Sequence, residues 1–205
     1  MRKMKGSGIE WIGEIPEGWE IKKLKYLTTL NLEKVSGEND LMYIGLEHIE
    51  SNTGKIVNNY EPIYDFCGDT IRFNKNNILY GKLRPYLAKV ILTDSDGKCS
   101  SEFFALKPTI VNSKYLFYLM LSKGFMGIVN SSTYGVKMPR AEWSFVGNLK
   151  LPIPREIEQQ QIADYLDKKC AEIDSVISAN EKTIEKLKEY RQSVIYEAVT
   201  GKIEI

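Results

Sequence analysis

The sequence predicts an α+β protein: a globular mixed α/β domain over residues 1–153, then one long C-terminal helix within residues 154–205. The first observation is that residues 155–200 contain neither Gly nor Pro, so nothing interrupts a helix there. The second is that the first 150 residues hold short apolar runs separated by turn-forming residues. At about 1.5 Å per residue, a helix over Glu156–Val199 would span about 66 Å, more than a small domain needs to close its core.

Short runs of β-branched and aromatic residues predict the strands of the domain. Glu20–Leu27 comes first, as a short strand or helix. The other predicted strands are Leu41–Leu46, Gly54–Val57, Asp69–Phe73, Asn77–Leu79, Leu87–Leu92, Phe103–Lys107 and Leu149–Ile153. Asp94–Lys98 is predicted as a hairpin turn, because its Asp-Gly pair tolerates positive φ.

Two short helices are predicted before the last strand. The first begins with Ser113 as its N-cap and ends near Ser122, and the second runs through Lys123–Val129. Residues 131–138 are polar and contain glycine, which predicts an exposed loop. Pro152 and Pro154 then end the domain.

The long helix carries an apolar seam with the spacing of a coiled coil. Its positions alternate at steps of four and three, as the a and d positions of a heptad do. They are Leu166, Cys170, Ile173, Ile177, Asn180, Ile184, Leu187, Arg191, Val194 and Ala198. The seam could pack on the chain's own domain, but its length favours a second helix as its partner.

Charge is distributed unevenly between the two parts. Residues 1–152 carry a net charge of +4 and residues 153–205 a net charge of −3. Residues 70–93 and residues 103–141 each contain five Lys or Arg and no acidic residue. Such segments can neutralise phosphates, although a solvated surface that lacks carboxylates would look the same.

Cysteine and hydropathy patterns predict a cytoplasmic protein. Cys67, Cys99 and Cys170 are widely spaced and odd in number, which favours reduced thiols over disulfides or a zinc site. No apolar run reaches the ~20 residues that a membrane-spanning helix needs.

Catalytic motifs are absent from the sequence. His48 is the only histidine, so one chain cannot form a site of two histidines, and His48 itself is expected to be structural. No GxGxxG, GxxxxGK[ST] or GxSxG motif occurs. We therefore expect a binding or assembly role, with no catalysis and no metal or cofactor bound by this chain.

Four segments resemble specificity subunits of type I restriction-modification enzymes. The resemblance covers nearly the whole chain, in the order of that family. The segments are residues 8–19 (GIEWIGEIPEGW), residues 78–86 with 99–103 (ILYGKLRPY and CSSEF), residues 151–162 (LPIPREIEQQQI) and residues 190–201 (YRQSVIYEAVTG).

The resemblance implies a function and a set of partners. Specificity subunits carry two DNA-recognition domains and two long helices, which pair antiparallel as a ruler between two half-sites. Methyltransferase subunits dock on this scaffold and use S-adenosylmethionine, and a restriction subunit uses ATP and Mg²⁺. With one domain and one helix, this chain is expected to be a half-subunit that forms a homodimer or the first half of a longer chain. Its helix would serve dimerisation, spacing and methyltransferase docking.

Basic and aromatic residues in three segments are the predicted contacts to double-stranded DNA. Arg84 suits a bidentate contact to guanine or phosphate, and Gly81 would let the backbone approach DNA closely. The full set is Arg72, Lys75, Tyr80, Lys82, Arg84, Tyr86, Ser132, Thr133, Tyr134, Lys137 and Arg140. The alternative for the Tyr80–Tyr86 loop is a structural role, with Arg84 paired to Glu102. The alternative for the whole chain is an assembly or decoy protein that binds methyltransferase subunits without specific DNA binding.

Overall fold

A computed structural model describes residues 2–35, 40–57, 59–66, 68–133 and 138–204. It divides into two compact units, Met1–Ala163 and Asp164–Ile205. The sequence placed the division at residue 153, whereas the first two turns of the long helix belong to the first unit. Gln159 and Ala163 in these turns are buried.

The chain forms twelve strands within the described residues. They are β1 Met4–Gly6, β2 Glu14–Pro16, β3 Glu20–Lys23, β4 Thr28–Asn31, β5 Lys34–Val35, β6 Tyr43–Ile44, β7 Thr70–Phe73, β8 Ile78–Gly81, β9 Val90–Leu92, β10 Gly97–Ser100, β11 Phe103–Pro108 and β12 Lys150–Ile153. The α-helices are α1 Leu24–Leu27, α2 Ser113–Leu121, α3 Lys123–Ser131, α4 Trp143–Val146 and α5 Glu156–Val199. Two single 3-10 turns lie at Leu46–His48 and Pro85–Leu87. The α+β class and the long C-terminal helix are confirmed.

A four-stranded antiparallel sheet lies at the centre of the domain, in the order β4-β11-β8-β9. Side chains alternate between the two faces of a strand, and both faces of β8 are buried. Ile78 and Tyr80 point to one hydrophobic core and Leu79 to another. The sheet therefore forms the middle layer of the domain.

The larger core lies between this sheet and the helices. Phe104 and Leu106 of β11 pack there with Leu116 and Met120 of α2 and Phe125 of α3. Burial of these large apolar side chains is the main stabilising contribution to the domain.

The smaller core lies between the central sheet and a second sheet, whose order is β5-β7-β10-β6. Phe73, Cys99 and Phe103 fill it. The prediction that Asp94–Lys98 is a hairpin turn is wrong, because the strands on either side of it do not pair with each other. β9 belongs to the central sheet and β10 to the second one. The turn carries the chain from one sheet to the other.

The N-terminal segment holds the start of α5. β1 pairs with β2 and β3 pairs with β12, both antiparallel. The Arg2 guanidinium donates to both carboxylate oxygens of Glu158, and Trp19 Nε1 donates to Oε2 at 3.0 Å. Chiefly because of the hydrogen bond from Arg2, the pKa of Glu158 is lowered. Three residues far apart in sequence thus fix the first turn of the helix.

Several local predictions need correction. The predicted strand Gly54–Val57 is reduced to one bridge between Ile49 and Ile56, and Leu41–Leu46 to the two-residue strand β6. The N-cap of α2 is Asn112, not Ser113, because the Asn112 side chain accepts the Tyr115 amide at 3.0 Å. Six strands and helices, β1, β2, β4, β5, β10 and α4, were not predicted at all.

The unit Asp164–Ile205 consists of the rest of α5 and a short tail. Its apolar seam is exposed to solvent along the helix: Ile173 is 57 % exposed, Ile184 51 % and Leu187 60 %. This exposure contrasts with the domain, where side chains of the same types are buried.

Candidate nucleic-acid interface

Two basic segments that are distant in sequence meet at the end of β8. The Lys82 amide donates to the Glu102 carbonyl at 2.9 Å, and the Ala141 amide donates to the Lys82 carbonyl at 2.8 Å. The Arg84 amide donates to the Pro139 carbonyl at 2.8 Å, and Leu83 forms a bridge with Arg140. The backbone therefore fixes Lys82, Arg84 and Arg140 in one surface, which we call the 82–140 surface.

Arg84 holds an unusual backbone conformation in this surface. Its φ is +50°, in the left-handed region, and Ala88 at the other end of the turn has a φ of +49°. The 3-10 turn between them, Pro85–Leu87, is closed by the Ala88 amide donating to the Pro85 carbonyl at 2.9 Å. The Arg84 side chain is exposed, as is Tyr86, so both are available to a ligand.

Arg140 is anchored by a carboxylate. Its Nη2 donates to Glu102 Oε1 at 2.7 Å. Glu102 is therefore paired with Arg140 and not, as the structural alternative for the Tyr80–Tyr86 loop had it, with Arg84. Glu102 Oε2 is buried and accepts no hydrogen bond from the described residues. The guanidinium has five N–H donors, so Arg140 keeps others for a further acceptor. No local sequence pattern indicates this pair, since 38 residues separate its members.

The Lys82 ammonium group lies over the aromatic ring of Phe104. Its Nζ is 5.6 Å from the centroid of the Phe104 ring, within cation–π distance, and Phe104 packs against Trp143. A cavity of about 320 Å³ opens here, lined by Lys82, Ser101, Glu102, Phe104, Arg140, Ala141, Glu142 and Trp143. In the smaller core, burial raises the pKa of the Cys99 thiol to about 12, although the charge of Lys82 opposes the shift.

Tyr80 and Gly81 do not have the predicted roles. Tyr80 is fully buried, its hydroxyl lies 3.3 Å from the Met126 sulfur, and burial raises its pKa. Gly81 is also buried: a Cβ there would lie 2.8 Å from Leu46 Cδ2 and 3.0 Å from the Lys89 carbonyl oxygen. Tyr80 is therefore a core residue, and Gly81 lets neighbouring backbone approach β8, not DNA.

The second predicted segment follows α3. The Ser132 hydroxyl donates to the Val129 carbonyl at 2.7 Å, and the Thr133 hydroxyl donates to the Asn130 carbonyl at 2.8 Å. Both hydroxyl protons are used by carbonyls in the last turn of α3, so the two hydroxyl oxygens can only accept further hydrogen bonds. An acceptor suits the amino group of a base better than it suits a phosphate. Tyr134 and Lys137 lie outside the described residues.

The third predicted cluster belongs to the second sheet. On β7, Arg72 Nη1 lies 3.8 Å from Glu33 Oε1. Lys75 is exposed in the turn that follows. Asn77 is buried, and its side chain accepts the Asn74 amide at 3.1 Å, so it forms the turn and does not read bases. Arg72 and Lys75 are thus carried by a different sheet from the 82–140 surface.

The histidine and the free thiols have structural surroundings. His48 Nδ1 accepts the Gly45 amide at 3.0 Å, and its ring packs beside Tyr60. Cys99 is buried and Cys170 half-buried, both as free thiols, and Cys67 lies outside the described residues. Within the described ranges, no three His, Cys, Asp or Glu side chains group closely enough to hold a metal, and no helix is long and apolar enough to cross a membrane.

Comparison with known protein families decides the affiliation. The family described as type I restriction modification DNA specificity domain matches residues 16–189. The chain belongs to this family. The seam positions up to Leu187 and the whole 82–140 surface lie within the matched part of this specificity domain.

Curated relatives and solved structures agree with the assignment. The specificity domain is 23 % identical to the EcoDI specificity subunit of Escherichia coli over 92 % of this chain and 43 % of that one. It is 25 % identical to the MjaVIII specificity subunit of Methanocaldococcus jannaschii over 95 % of this chain and 48 % of that one. The chain thus spans about half the length of the curated relatives it matches.

The crystal structure of the HsdS subunit from Thermoanaerobacter tengcongensis has the same fold. It superposes with a TM-score of 0.68 at 19 % identity, over 89 % of this chain and 50 % of that one. A structure described under assembly and conformational transition of the type I R-M system gives a TM-score of 0.69, also at 19 % identity, over 88 % and 50 %. At this identity the likeness is one of fold.

Proposed function

We propose that this chain is the DNA target-recognition subunit of a type I restriction-modification system. The observation that carries the proposal is the 82–140 surface, where backbone hydrogen bonds from separate segments hold exposed cationic side chains in a member of a DNA-specificity family. Rigid backbone positioning is what sequence recognition requires, because phosphate contacts set the register from which base edges are read.

The side chains of the 82–140 surface divide the work of binding. Arg84 has an exposed guanidinium, which can contact guanine O6 and N7 or a phosphate in a bidentate way. Arg140, held by Glu102, and Lys82 would supply phosphate contacts that fix the domain on the duplex. Tyr86, exposed beside Arg84, can pack against sugar or base edges.

The chemistry belongs to partner subunits in this proposal. Methyltransferase subunits would bring S-adenosylmethionine, and a restriction subunit would bring ATP and Mg²⁺, while this chain directs them to the target without catalysis of its own. The long helix α5 would be the docking element for the methyltransferase subunits.

The exposed apolar seam of α5 supports the proposal of a homodimer. Since the curated relatives are about twice as long, two copies joined through α5 would match one relative in size. A twofold dimer is the commonest closed arrangement of identical subunits. Two identical recognition domains would then read a split palindrome.

The test is the methylation pattern of DNA in cells that express this chain together with its methyltransferase subunit. We expect methylated adenine in both halves of a split palindrome, read by single-molecule sequencing. Arg84→Ala should lose the pattern, and Lys3→Ala, which removes an exposed charge outside both α5 and the 82–140 surface, should keep it. A stable complex that methylates no defined sequence would contradict the proposal and favour an assembly or decoy protein.

A further inference from the structure

Three lysines lie where β3 and α1 meet the start of β12. In the register of the two strands, Lys23 of β3 is directly opposite Lys150 of β12. The Lys25 amide donates to the Gly147 carbonyl at 2.9 Å, which ties α1 to the same place. Lys23 Nζ donates to Asn148 Oδ1 at 3.3 Å, and Lys25 and Lys150 are exposed. We call these three lysines and Asn148 the 23–150 patch.

The positive charge of the 23–150 patch is not compensated by neighbouring carboxylates. Directly opposed residues of an antiparallel pair lie about 4.5–5.5 Å apart at Cβ, and like charges there are destabilising. Residues 21–32 and 143–155, which carry the patch, contain no acidic residue. None of the three lysines forms an ion pair within the part of the chain that the structure describes. An anion bound between Lys23 and Lys150 would remove the repulsion.

An exposed tyrosine lies beside these lysines. Lys25 Nζ is 5.3 Å from the centroid of the Tyr26 ring, and Tyr26 is 64 % exposed. Ammonium groups together with a tyrosine hydroxyl are donors that proteins place on the phosphates of DNA. An acidic protein surface would also be attracted by the lysines, so the position of the patch in the domain is needed to choose between the two anions.

The 23–150 patch is close to the 82–140 surface along the backbone. At one end of residues 141–147, the Ala141 amide donates to the Lys82 carbonyl at 2.8 Å, and at the other end the Gly147 carbonyl accepts the Lys25 amide. Six residue steps span at most about 22 Å, even when fully extended. A DNA duplex advances about 3.4 Å per base pair, so the two places are within about six base pairs of each other. One duplex is long enough to contact both, which favours DNA as the anion.

We infer that the 23–150 patch binds phosphates of the DNA duplex beside the bases that the 82–140 surface reads. This inference rests on the proposed function and adds a second contact region to it. The lysine ammonium group is a compact point charge, so it binds a phosphate without distinguishing one base from another. The patch therefore contributes affinity and orientation, whereas the sequence preference comes from the 82–140 surface.

The test is the salt dependence of DNA binding by the full chain with Lys23→Gln, Lys25→Gln and Lys150→Gln. The logarithm of the binding constant falls with the logarithm of the salt concentration, by about 0.9 for each phosphate contact on duplex DNA. On a labelled duplex of random sequence, the slope should therefore be smaller by about 2.7 per chain. Lys25→Gln alone, at an exposed position, should reduce the slope by about 0.9 and tests the inference if the triple variant does not fold.

The ratio of affinities gives a second measurement on the same variant. A duplex carrying the target sequence found by methylation should lose affinity by the same factor as the random duplex. The preference for the target should therefore be that of the parent chain, because phosphate contacts carry no sequence information.

Control variants separate phosphate binding from net charge and from folding. Lys3→Gln with Lys34→Gln and Lys123→Gln removes three exposed lysines from other parts of the domain and should keep the slope of the parent chain. Lys23→Arg with Lys150→Arg retains the charges and should keep the slope as well. The unfolding midpoint of the triple Gln variant, followed by tryptophan fluorescence, should not fall, since like charges have been removed from facing positions.

An unchanged slope in the patch variant, or an equal change in the control with three other lysines removed, would overturn the inference. A changed affinity ratio would overturn it too, because the patch would then read sequence. Unchanged DNA binding combined with loss of the methyltransferase complex would assign the patch to an acidic protein surface instead. A parent chain that binds every duplex equally would refute the proposed function, while the slope on the random duplex would still decide the role of the patch.

Discussion

The domain and the helix use the same apolar residue types to opposite effect. In Met1–Ala163, Ile, Leu and Phe side chains fill two cores on either side of the central sheet. In Asp164–Ile205, Ile and Leu side chains at heptad spacing remain exposed. The domain therefore contains its own stabilising contacts, whereas the helix carries an apolar seam that is exposed to solvent. Apolar content alone does not distinguish the two; the surroundings of each side chain do.

The largest difference is expected between truncations in the two regions. Phe73→Ala removes a fully buried side chain from the smaller core and should cost about 3–5 kcal/mol of unfolding free energy. Leu187→Ala should change the unfolding free energy of the domain by less than about 0.5 kcal/mol. All three tryptophans lie in the domain, so denaturation followed by tryptophan fluorescence reports on it selectively. Equal losses in both variants would contradict the comparison.

Charges in the seam should break the helix pair without damaging the domain. Ile177→Asp together with Ile184→Asp places carboxylates at two seam positions of the proposed homodimer, where burial of unpaired charge is costly. Light scattering should show monomers with an unchanged fluorescence transition. Ser175→Asp with Ser178→Asp adds the same charge on the outer face and should remain dimeric. An unchanged mass for the seam variant would rule out pairing through α5.

Arg84→Ala should separate binding from folding within the domain. Loss of one bidentate contact costs about 1–3 kcal/mol, roughly tenfold or more in affinity for the target. Because the Arg84 side chain is exposed, the fluorescence transition should not move. Titration of labelled target duplex measures the loss, and Lys186→Ala serves as the charge control. A lower unfolding midpoint with full binding would make Arg84 a structural residue.

Arg140→Ala should affect both properties, because its guanidinium is bound to Glu102. Removing it leaves the Glu102 carboxylate without its partner, and we expect a loss of about 1 kcal/mol in stability besides weaker DNA binding. Adding Glu102→Ala should recover part of the stability but not the binding. Additive stability losses in the double variant would show that the two side chains are not coupled.

The smallest effect is expected at the start of α5, as a function of pH. The folded pKa of Glu158 is lowered, chiefly by the hydrogen bond from Arg2, so its contribution is complete above the unfolded pKa of about 4.3 and disappears as the pH falls through the folded value. Glu158→Gln should therefore lower the melting temperature at pH 6, with a difference from the parent that shrinks toward pH 3. Glu156→Gln, an exposed residue in the same turn, is the control. A difference independent of pH would contradict this assignment.

The sequence allowed prediction of elements with strong periodicity or clear boundaries. The 44 residues of α5 have no Gly or Pro and a regular seam, so its ends were predicted to the residue. The strands β8 and β11 are built on continuous apolar runs, and both were predicted to within two residues of their observed ends. In contrast, β10 contains the polar or small residues Gly97, Lys98 and Ser100, and the burial of Gly97 and Lys98 depends on strands far away in sequence.

The candidate site was predictable by residue type but not by contact. Arg84 and Tyr86 are exposed, as a binding role requires, and charge pattern and resemblance pointed to them. Tyr80 lies only a few residues before them, yet its side chain points into the core because side chains alternate between the two faces of β8. The partnership of Arg140 with Glu102 depends on how separate segments meet at the end of β8, and local sequence does not encode that.

The two left-handed residues around Pro85 have a consequence for affinity. A left-handed backbone costs about 1–2 kcal/mol per residue without glycine, so an isolated peptide of this sequence would rarely adopt the turn. In the folded domain, the backbone hydrogen bonds to residues 139–141 offset that cost before any DNA binds. DNA would then meet a loop whose conformational entropy has already been removed, and more of each contact would appear as binding free energy.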